Sequence, residues 1–325
     1  MGELDNFDKK LIAELENDSR QTLSQIAKKL RSSQQVISYR IKSLEKRGII
    51  SEYYTIIDFS RLGYTSYRTM LRLSNLNEQK HKEIIGFLMG HLNALWIVDC
   101  GGRWDLIVNF IAKNIIQYAG ILREFKSKFP EQIQNYDILT TVELVYFGRD
   151  YFTKNTRHDK FSSFGGEQKL ANLDKTDLKI LNLISENARI NAVEIAEKLN
   201  VSPNTVILRI KELKKNGTIQ GFKPLIHLEK TPYSSYKALI KFQNITEEKE
   251  KQIIKYLQTN ISVVGIIKLI GLWDFEIEFE VETKEQMLSF TREFRDNFKD
   301  VIKEFEVIPL FHEYKYNFFP RDILN

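Results

Sequence analysis

The chain has 325 residues, 42% of them hydrophobic and 28% charged, with a formal net charge of +5. This length and apolar content can bury roughly two to four independent cores, and no apolar run is long and uncharged enough to cross a membrane. The N-terminus has no basic region followed by an apolar one, so we expect a cytoplasmic protein without a secretory signal.

The sequence repeats itself at a constant offset of 169 residues. Leu4-Asp5-x-x-Asp8 returns as Leu173-Asp174-x-x-Asp177, and far downstream Gly102-Arg103-Trp104-Asp105 returns as Gly271-Leu272-Trp273-Asp274. A repeat of this length corresponds to a whole pair of domains rather than to a solenoid unit. The chain is therefore a duplication, and each half predicts its own structure.

Each half begins with two short helices. Asp5 caps a first helix that ends near Asn17. The pattern Thr22-x-x-Gln25 is a capping box that opens a second helix, and Asn191 with Glu194 takes the same places in the second half.

A third helix follows a four-residue turn. Ser33 caps it in the first half, and Ser202-Pro203 places proline at the first helical position in the second. Apolar residues spaced i, i+4 and i+7 predict a buried face, formed by Ile37, Ile41 and Leu44 and again by Val206, Ile210 and Leu213. Gly48 and Gly217 end the helices, and an extended segment follows. Three helices with a tight turn before the third, and then a strand, predict a winged helix-turn-helix.

The outer face of the third helix carries polar and cationic side chains. Glutamine amides can read adenine edges in a major groove and lysine neutralises phosphate, although an ordinary polar surface is the alternative. The candidate DNA-binding residues are Gln34, Gln35, Ser38, Tyr39, Arg40, Lys42 and Lys46 in the first half and Asn204, Thr205, Arg209 and Lys211 in the second. In the second half Ile207 and Leu208 replace Ser38 and Tyr39. That helix therefore reads another sequence, contacts thymine methyl groups, or has partly lost DNA binding.

Positive charge is concentrated around these helices. The window from Lys28 to Arg47 contains seven cations and one acid, and the matching window from Glu197 to Asn216 contains five cations and two acids. A basic run is most often a solvated helix face, but this position favours nucleic acid. Arg40 and Arg209 lie beside the buried stripe, where a phosphate contact and an ion pair with a first-helix acid such as Asp8 are both open.

The rest of each half alternates strands and helices in the order β-α-β-β-α-β. The first-half elements are predicted at Ser66–Leu73, Glu78–Met89, Leu95–Cys100, Leu106–Ile111, Ile115–Lys128 and Ile133–Val145, and those of the second at 234–242, 247–258, 261–269, 273–281, 284–298 and 302–311. This order predicts a ferredoxin-like sandwich with both helices on one sheet face. We place Ile97, Leu106 and Val108 on the other face, which a second copy of the sheet would cover. The one cysteine, Cys100, is expected to be buried as a small apolar residue.

The predicted fold class is α+β, with two tandem copies of a winged helix-turn-helix joined to a ferredoxin-like βαββαβ domain. The expected boundaries are 1–60 and 61–147 for the first pair, 148–172 for a linker, and 173–229 and 230–325 for the second pair with a C-terminal tail. Polar and glycine-rich runs mark the linker. Its aromatics, Tyr151, Phe152, Phe161 and Phe164, indicate that it packs on a surface.

Together these features resemble the Lrp/AsnC (feast/famine) transcriptional regulators. The resemblance is carried by the two Leu-Asp-x-x-Asp openings, by Arg40-Ile41-Lys42-x-Leu44-Glu45-x-x-Gly48-Ile49-Ile50, and by the Gly-x-x-Asp turns. It implies a sequence-specific regulator that binds double-stranded DNA and responds to a small effector such as an amino acid. It also implies self-association through the βαββαβ sheets, within the chain, between chains or both.

Effector binding near the Gly-x-x-Asp turns is likewise implied by the resemblance. The residues concerned are Gly101, Gly102 and Asp105 in the first half and Gly271 and Asp274 in the second. The chain departs from the family pattern in two ways. Tryptophan precedes the aspartate in both copies, and Gly101 or Ile270 stands where a small hydroxyl residue is common.

Two other classes of function are kept as alternatives. Siroheme decarboxylases share this architecture, but their chemistry needs a tetrapyrrole pocket, and no cluster of cations and histidines is evident here. The other alternative is a ligand sensor that does not bind DNA. The five histidines, at 81, 91, 158, 227 and 312, lack metal-ligand spacing. We therefore expect no catalytic residues, no metal and no cofactor.

Overall fold

The structure is a computed structural model that describes residues 4–153, 161–166 and 169–324. The first half contains α1 (Asn6–Asn17), α2 (Leu23–Lys29), α3 (Gln34–Lys46), β1 (Ile50–Ile57), β2 (Thr65–Leu73), α4 (Glu78–Gly90), β3 (Ala94–Cys100), β4 (Leu106–Ala112), α5 (Ile115–Lys128) and β5 (Ile133–Tyr146). After β6 (Ser162–Gly165), the second half contains α6 (Lys175–Glu186), α7 (Ala192–Leu199), α8 (Pro203–Lys215), β7 (Ile219–Ile226), β8 (Ser234–Phe242), α9 (Glu247–Thr259), β9 (Val263–Ile270), β10 (Phe275–Val281), α10 (Lys284–Asn297) and β11 (Ile302–Tyr316). The predicted α+β class and the duplication are confirmed.

Side-chain caps begin the short helices at the predicted residues. Asp5 accepts from the amide of Asp8, and Ser33 accepts from that of Val36. Thr22 and Gln25 form a full capping box. Gly48 and Gly217, with φ of +64° and +79°, follow the ends of α3 and α8 in the left-handed region, which glycine adopts without steric cost. Each set of three helices, α1–α3 and α6–α8, is called a head below.

The two βαββαβ units join edge to edge into one closed barrel. Neighbouring strands follow the order β2, β4, β3, β11, β8, β10, β9, β5, and β5 returns to pair with β2. The two joints are equivalent, because the pairing of Leu310 with Cys100 corresponds to that of Thr141 with Leu269. Closure pairs the edge strands of the two units, β3 with β11 and β5 with β9, so the second copy covers the first within one chain.

The apolar residues of the strands divide between two faces, and one sequence assignment was wrong. Ile97, Leu106 and Val108 pack beneath α4 and α5, not against the opposite sheet. The residues that face the barrel interior lie one position away, and they include Trp96, Val98, Ile107, Leu239, Val264 and Ile267. In strands apolar on both faces, periodicity alone does not fix which set meets the helices.

The interior of the barrel also holds charge. Arg68 and Lys237 both pair with Glu276, and Lys237 reaches Glu278 at 2.7 Å. Burial raises the pKa of Glu276, but Arg68 and Lys237 more than offset this, so its pKa lies below the usual value. The ring of Trp96 lies under both cations, 5.3 Å from Arg68 and 4.8 Å from Lys237. Every one of these charges therefore has a partner, as burial requires.

The segment between the halves and the C-terminal tail both pack on the body of the protein. Tyr151, Phe152 and Phe164 are buried, whereas Phe161 is 47% exposed. Phe164 contacts Phe59 and also Phe318 of the tail. Residues 150–152 form a 3-10 turn and β6 pairs with β5, while residues 154–160 and 167–168 of the predicted linker, with His158, lie outside the described residues.

Cys100 is buried, as predicted, and we expect its thiol to be inert in the folded protein. Burial raises its pKa to about 12, and the thiolate is the reactive form. A disulfide exchange reagent at mildly alkaline pH should label the native chain slowly and the chain in concentrated guanidinium chloride at once. Rapid labelling of the native chain would contradict this prediction.

Candidate nucleic-acid interface

The third helix of the first head is anchored by one face and presents the other to solvent. Ile37, Ile41 and Leu44 are buried, as predicted. The outer face exposes Gln34, Gln35, Tyr39, Lys42 and Lys46, whereas Ser38 and Arg40 are half-buried. Tyr39 is 71% exposed although its ring is largely apolar. The helix thus offers amides, an aromatic ring and two ammonium groups on one free surface.

Arg40 and Arg209 form ion pairs within their heads. Arg40 Nη1 lies 2.6 Å from Asp5 Oδ2 and 3.2 Å from Asp8 Oδ1. Arg209 Nη1 likewise lies 2.6 Å from Asp174 Oδ2 and 2.9 Å from Asp177 Oδ1. The Asp8 amide and the Arg40 guanidinium hold the pKa of Asp5 below its usual value. Of the two roles left open by the sequence, the structure shows the ion pair, which ties α3 to α1.

The remaining cations of the first head differ in their freedom. Arg47 Nη1 pairs with Asp8 Oδ2 at 3.0 Å, and Lys29 pairs with Glu14 at 2.7 Å. Lys28, Lys42 and Lys46 are exposed, and within the described part of the chain none of them forms an ion pair of 4.0 Å or less. These three ammonium groups are available to neutralise phosphate.

The third helix of the second head has the same anchor and a different surface. Asn204 and Lys211 are exposed, and Thr205 is half-buried with its hydroxyl 2.8 Å from that of Ser202. Ile207 and Leu208 are 53% and 56% exposed. An exposed aliphatic pair on this face favours apolar contacts over hydrogen bonds.

The extended segment after each head pairs with its counterpart from the other half. β1 and β7 form a two-stranded antiparallel sheet in which Tyr54 lies opposite Lys223, its own equivalent in the repeat. The approximate two-fold axis of the chain therefore passes through this pair. Within the described ranges neither strand forms a local hairpin wing, so the sheet is a ribbon shared by both heads.

Each head also packs on the strand that follows the other head. The amide of Ser19 donates to the carbonyl of Phe222 on β7 at 3.0 Å, and the amide of Ala188 donates to Tyr53 on β1 at 2.8 Å. Arg20 Nη1 links the two heads by donating to the carbonyl of Ala188. These contacts fix the position of each head relative to the other. They therefore also fix the relative position of α3 and α8.

The two Gly-x-x-Asp turns lie far along the chain from the heads and share one geometry. Asp105 Oδ2 accepts from the amide of Leu73 at 2.8 Å, and its other oxygen lies 3.3 Å from Arg72 Nη1. Asp274 accepts from the amide of Phe242 at 2.8 Å and pairs with Lys241 at 2.7 Å. Each aspartate thus holds its turn to the neighbouring strand.

The glycines of these turns lie against the long strand of the other half. A Cβ on Gly101 would come within 2.9 Å of Phe311 and 3.0 Å of Pro309. A Cβ on Gly271 would come within 2.6 Å of Leu139 and 3.0 Å of the Ile138 carbonyl. Gly102 has φ of +88°, a left-handed conformation. Close packing and backbone conformation therefore require these glycines.

A buried ionic cluster connects the first head to the barrel. It was not predicted from the sequence. Arg149 Nη1 lies 2.9 Å from Glu16 Oε1 on α1, and Arg149 Nε lies 2.9 Å from Glu280 Oε2 on β10. Tyr151 also donates to Glu280, and Lys223 donates to the carbonyl of Glu16. No sequence motif marks this cluster, because its members come from both halves.

Two three-helix heads, whose third helices carry free polar and cationic faces, define a helix-turn-helix DNA-binding protein. A winged helix-turn-helix DNA-binding family model matches residues 4–51 and 173–220. An uncharacterized HTH-type transcriptional regulator of Pyrococcus furiosus is 32% identical over 121 residues, 37% of this chain and 80% of the relative. The leucine-responsive regulatory protein of Haemophilus influenzae is 37% identical over 57 residues, 18% of this chain and 34% of that protein. The chain belongs to the HTH-type transcriptional regulators of the Lrp/AsnC family, in a tandem duplicated form.

A solved structure also matches nearly the whole chain. The crystal structure of the siroheme decarboxylase NirDL superposes with a TM-score of 0.60 at 12% sequence identity, over 98% of this chain and 97% of that one. This likeness shows that the complete duplicated architecture occurs elsewhere. No helix within the described ranges is long and apolar enough to span a membrane.

Proposed function

We propose that this DNA-binding regulator reads duplex DNA with α3 and α8 together, as a dimer built from one chain. The main support for this proposal is the ribbon of β1 and β7. Each head packs on the ribbon strand that follows the other head, so α3 and α8 are held in a fixed relative position. Gln34, Gln35, Ser38 and Tyr39 would face base edges in one half-site, with Lys42 and Lys46 on phosphate. In the other half-site Asn204, Thr205 and Lys211 would make the polar contacts.

Arg40 and Arg209 take a different role in this proposal. Their ion pairs orient each guanidinium between the first and third helices, and both side chains remain one-third exposed. A phosphate that approaches the edge of the head can still receive a hydrogen bond from the free side of the guanidinium. These arginines therefore position the third helix first and contact the DNA backbone second.

The operator is expected to be an imperfect dyad whose half-sites are about one helical turn, or a multiple, apart. Base selection followed by footprinting on the full chain tests this. Exchanging the distinguishing pair, Ser38→Ile with Tyr39→Leu, should make the first half-site resemble the second. The reciprocal variant, Ile207→Ser with Leu208→Tyr, is the matched control and should alter only the other half-site. An exact palindrome bound by one chain would contradict this proposal.

We further propose that a small effector binds at the β3–β4 turn and its repeat at β9–β10. The indole Nε1–H groups of Trp104 and Trp273 are buried at these turns and have no acceptor within the described ranges. A buried N–H group without an acceptor is uncommon, and a carboxylate or carbonyl of the effector could accept this hydrogen bond. The half-exposed carboxylates of Asp105 and Asp274 can in turn pair with an ammonium group.

Asp105→Asn separates the effector role of this residue from its role in the turn. The amide oxygen can still accept from Leu73, so folding and DNA affinity without ligand should persist. The response to candidate amino acids should fall, because a charge-assisted bond is roughly twice as strong as a neutral one. DNA retention and thermal melting are measured with and without each amino acid. If the variant melts earlier but titrates as the wild type does, the aspartate serves only the turn.

We propose a regulatory and not a catalytic role. The likeness to NirDL concerns the fold, and the relatives identified by sequence are named as regulators. Addition of an iron tetrapyrrole, followed by absorption spectroscopy, tests the catalytic alternative. A stoichiometric shift of the absorption band together with loss of carboxyl groups from the tetrapyrrole would support the enzyme and contradict this assignment.

A further inference from the structure

His227 and Glu229, two positions apart, meet the sequence-distant His312 beside the barrel. His227 Nδ1 lies 3.2 Å from Glu229 Oε1, and His312 Nδ1 lies 2.7 Å from the same oxygen. The two imidazole rings are stacked, with centroids 5.3 Å apart and planes inclined by 14°. The three ligand atoms all lie within 4.8 Å of one another. These residues are called the His-Glu-His cluster.

The cluster connects two parts of the fold. His227 and Glu229 belong to the turn between β7 of the ribbon and β8 of the barrel, where Leu228–Lys230 form a 3-10 helix. The amide of His227 donates to the carbonyl of Ile49 at 2.9 Å, which holds the turn to the ribbon. His312 lies on β11, the long strand of the barrel. A ligand held by all three side chains would therefore join the ribbon to the barrel.

The first half shows that the fold does not need histidine at these places. The equivalents of His227, Glu229 and His312, 169 residues earlier, are Asp58, Ser60 and Glu143. There the carboxylate of Asp58 accepts from the hydroxyl of Ser60 at 2.6 Å, while Glu143 pairs with Lys268 at 3.1 Å. The same turn and strand thus form without any imidazole.

The surroundings of the two places differ as well. In the first half β6 pairs with β5 from Glu143 to Tyr146 and covers the turn, and the amide of Gly165 approaches Asp58 at 3.3 Å. In the second half no strand of the described chain pairs with the matching edge of β11. A cavity of about 260 Å³ lies there instead, lined by residues that include Glu229, Tyr233 and Phe311. The side chain of His312 is 42% exposed and that of Glu229 35%, so the cluster is reachable from solvent.

We propose that the His-Glu-His cluster binds one divalent first-row transition metal ion, with zinc as the best-fitting ion. Zinc takes imidazole nitrogen and carboxylate oxygen at about 2.0–2.2 Å in tetrahedral geometry, which places donor atoms about 3.3 Å apart. The separation from Glu229 Oε1 to His227 Nδ1, 3.2 Å, is close to this value, whereas the 2.7 Å to His312 Nδ1 is a hydrogen-bond distance that must lengthen when the metal enters. Both nitrogens can coordinate once their proton moves to Nε2. A fourth position is left for water or a ligand from the adjacent cavity.

Calorimetric titration of the metal-free, tag-free full chain with zinc chloride tests this proposal. One zinc ion per chain is expected, together with a rise in melting temperature of a few degrees at saturating zinc. His312→Phe keeps an aromatic ring for stacking but removes the ligand, and should weaken zinc binding at least about tenfold. His227→Gln should do the same. His81→Gln removes a histidine whose imidazole pairs with Asp99 outside the cluster, and should bind zinc as the wild type does.

The outcomes separate this inference from the DNA-binding proposal. Magnesium, which prefers all-oxygen octahedral sites, should not compete. Zinc binding that is equal in His312→Phe and wild type, or no stoichiometric binding at all, would overturn the metal site. DNA retention measured in the presence of a chelator tests the heads alone, so either proposal can fail while the other stands. Circular dichroism of each variant establishes that it is folded.

Discussion

Replacing Arg149 with methionine is expected to lower the free energy of unfolding by about 3–5 kcal/mol, the usual effect of removing one partner from a buried ion pair. Arg149 is 7% exposed and lies between Glu16 and Glu280, both also buried. Burial already raises the pKa of Glu280, and the guanidinium opposes that rise. Without it, the two buried carboxylates would lose the cation they share and keep Lys223, 3.8 Å from Glu16, and the hydroxyl of Tyr151, which donates to Glu280.

The loss of stability in the Arg149→Met variant is expected to increase with pH. In the variant the pKa of Glu280 in the folded state rises further above its unfolded value. The folded state then holds a proton that the unfolded state has released, so stability falls as pH rises through that window. Urea unfolding at about pH 5 and about pH 8 should therefore show the larger loss at the higher pH.

Two further variants complete this experiment. Arg123→Met removes an exposed arginine of α5 and should change stability little. Adding Glu280→Gln to Arg149→Met should recover part of the loss, because the unpaired charge is removed along with its partner. A loss below about 1 kcal/mol in the single variant would mean that the cluster does not hold the first head in place.

Substituting alanine for both Lys42 and Lys46 is expected to flatten the salt dependence of DNA binding. Each phosphate contact contributes about 0.9 to the slope of log K against log salt, so two lost contacts should reduce it by about 1.8. Arg47, the last residue of the basic window, is left unchanged because its ion pair with Asp8 ties it to α1. Alanine at position 47 would remove this ion pair as well as any DNA contact, so the two effects on DNA binding could not be separated.

The matched control is a double variant that removes two positive charges outside the heads. Lys82 on α4 and Lys251 on α9 are exposed and pair with Glu78 and Glu247. Alanine at both removes two positive charges far along the chain from the heads and should leave the slope unchanged. If both double variants flatten the slope alike, overall charge and not the third helix governs the affinity.

Local signals in the sequence predicted most of the fold. The caps at Asp5, Thr22 and Ser33 and the stops at Gly48 and Gly217 depend on interactions within a few residues, and each appears at its predicted place. The βαββαβ order followed from alternation and turn chemistry in the same way. β11 is longer than predicted and runs to Tyr316, because its last residues pair with β3 of the other half.

Features that depend on contacts between residues distant in sequence could not be read in this way. The assignment of Ile97, Leu106 and Val108 to the wrong face arose because a strand buried on both sides has apolar residues on both faces. The roles of Arg40 and Arg209 were undecided, since the sequence does not show whether Asp5 and Asp174 lie within reach. His227 and His312 are 85 positions apart and show no motif spacing. His227 and Glu229 share one turn, and the folding of β11 beside that turn brings His312 to them.

The ribbon formed by β1 and β7 has a consequence for evolution and for assembly. In a dimer of identical chains, the residue on the two-fold axis must be the same in both partners, whereas here it is Tyr54 on one side and Lys223 on the other. Fusion released this constraint, and the two sides have diverged into an aromatic contact with Tyr316 and Phe318 and an ionic one with Glu16. A tethered partner is also present at a high effective concentration whatever the concentration of the protein. Dilution should therefore not separate the halves.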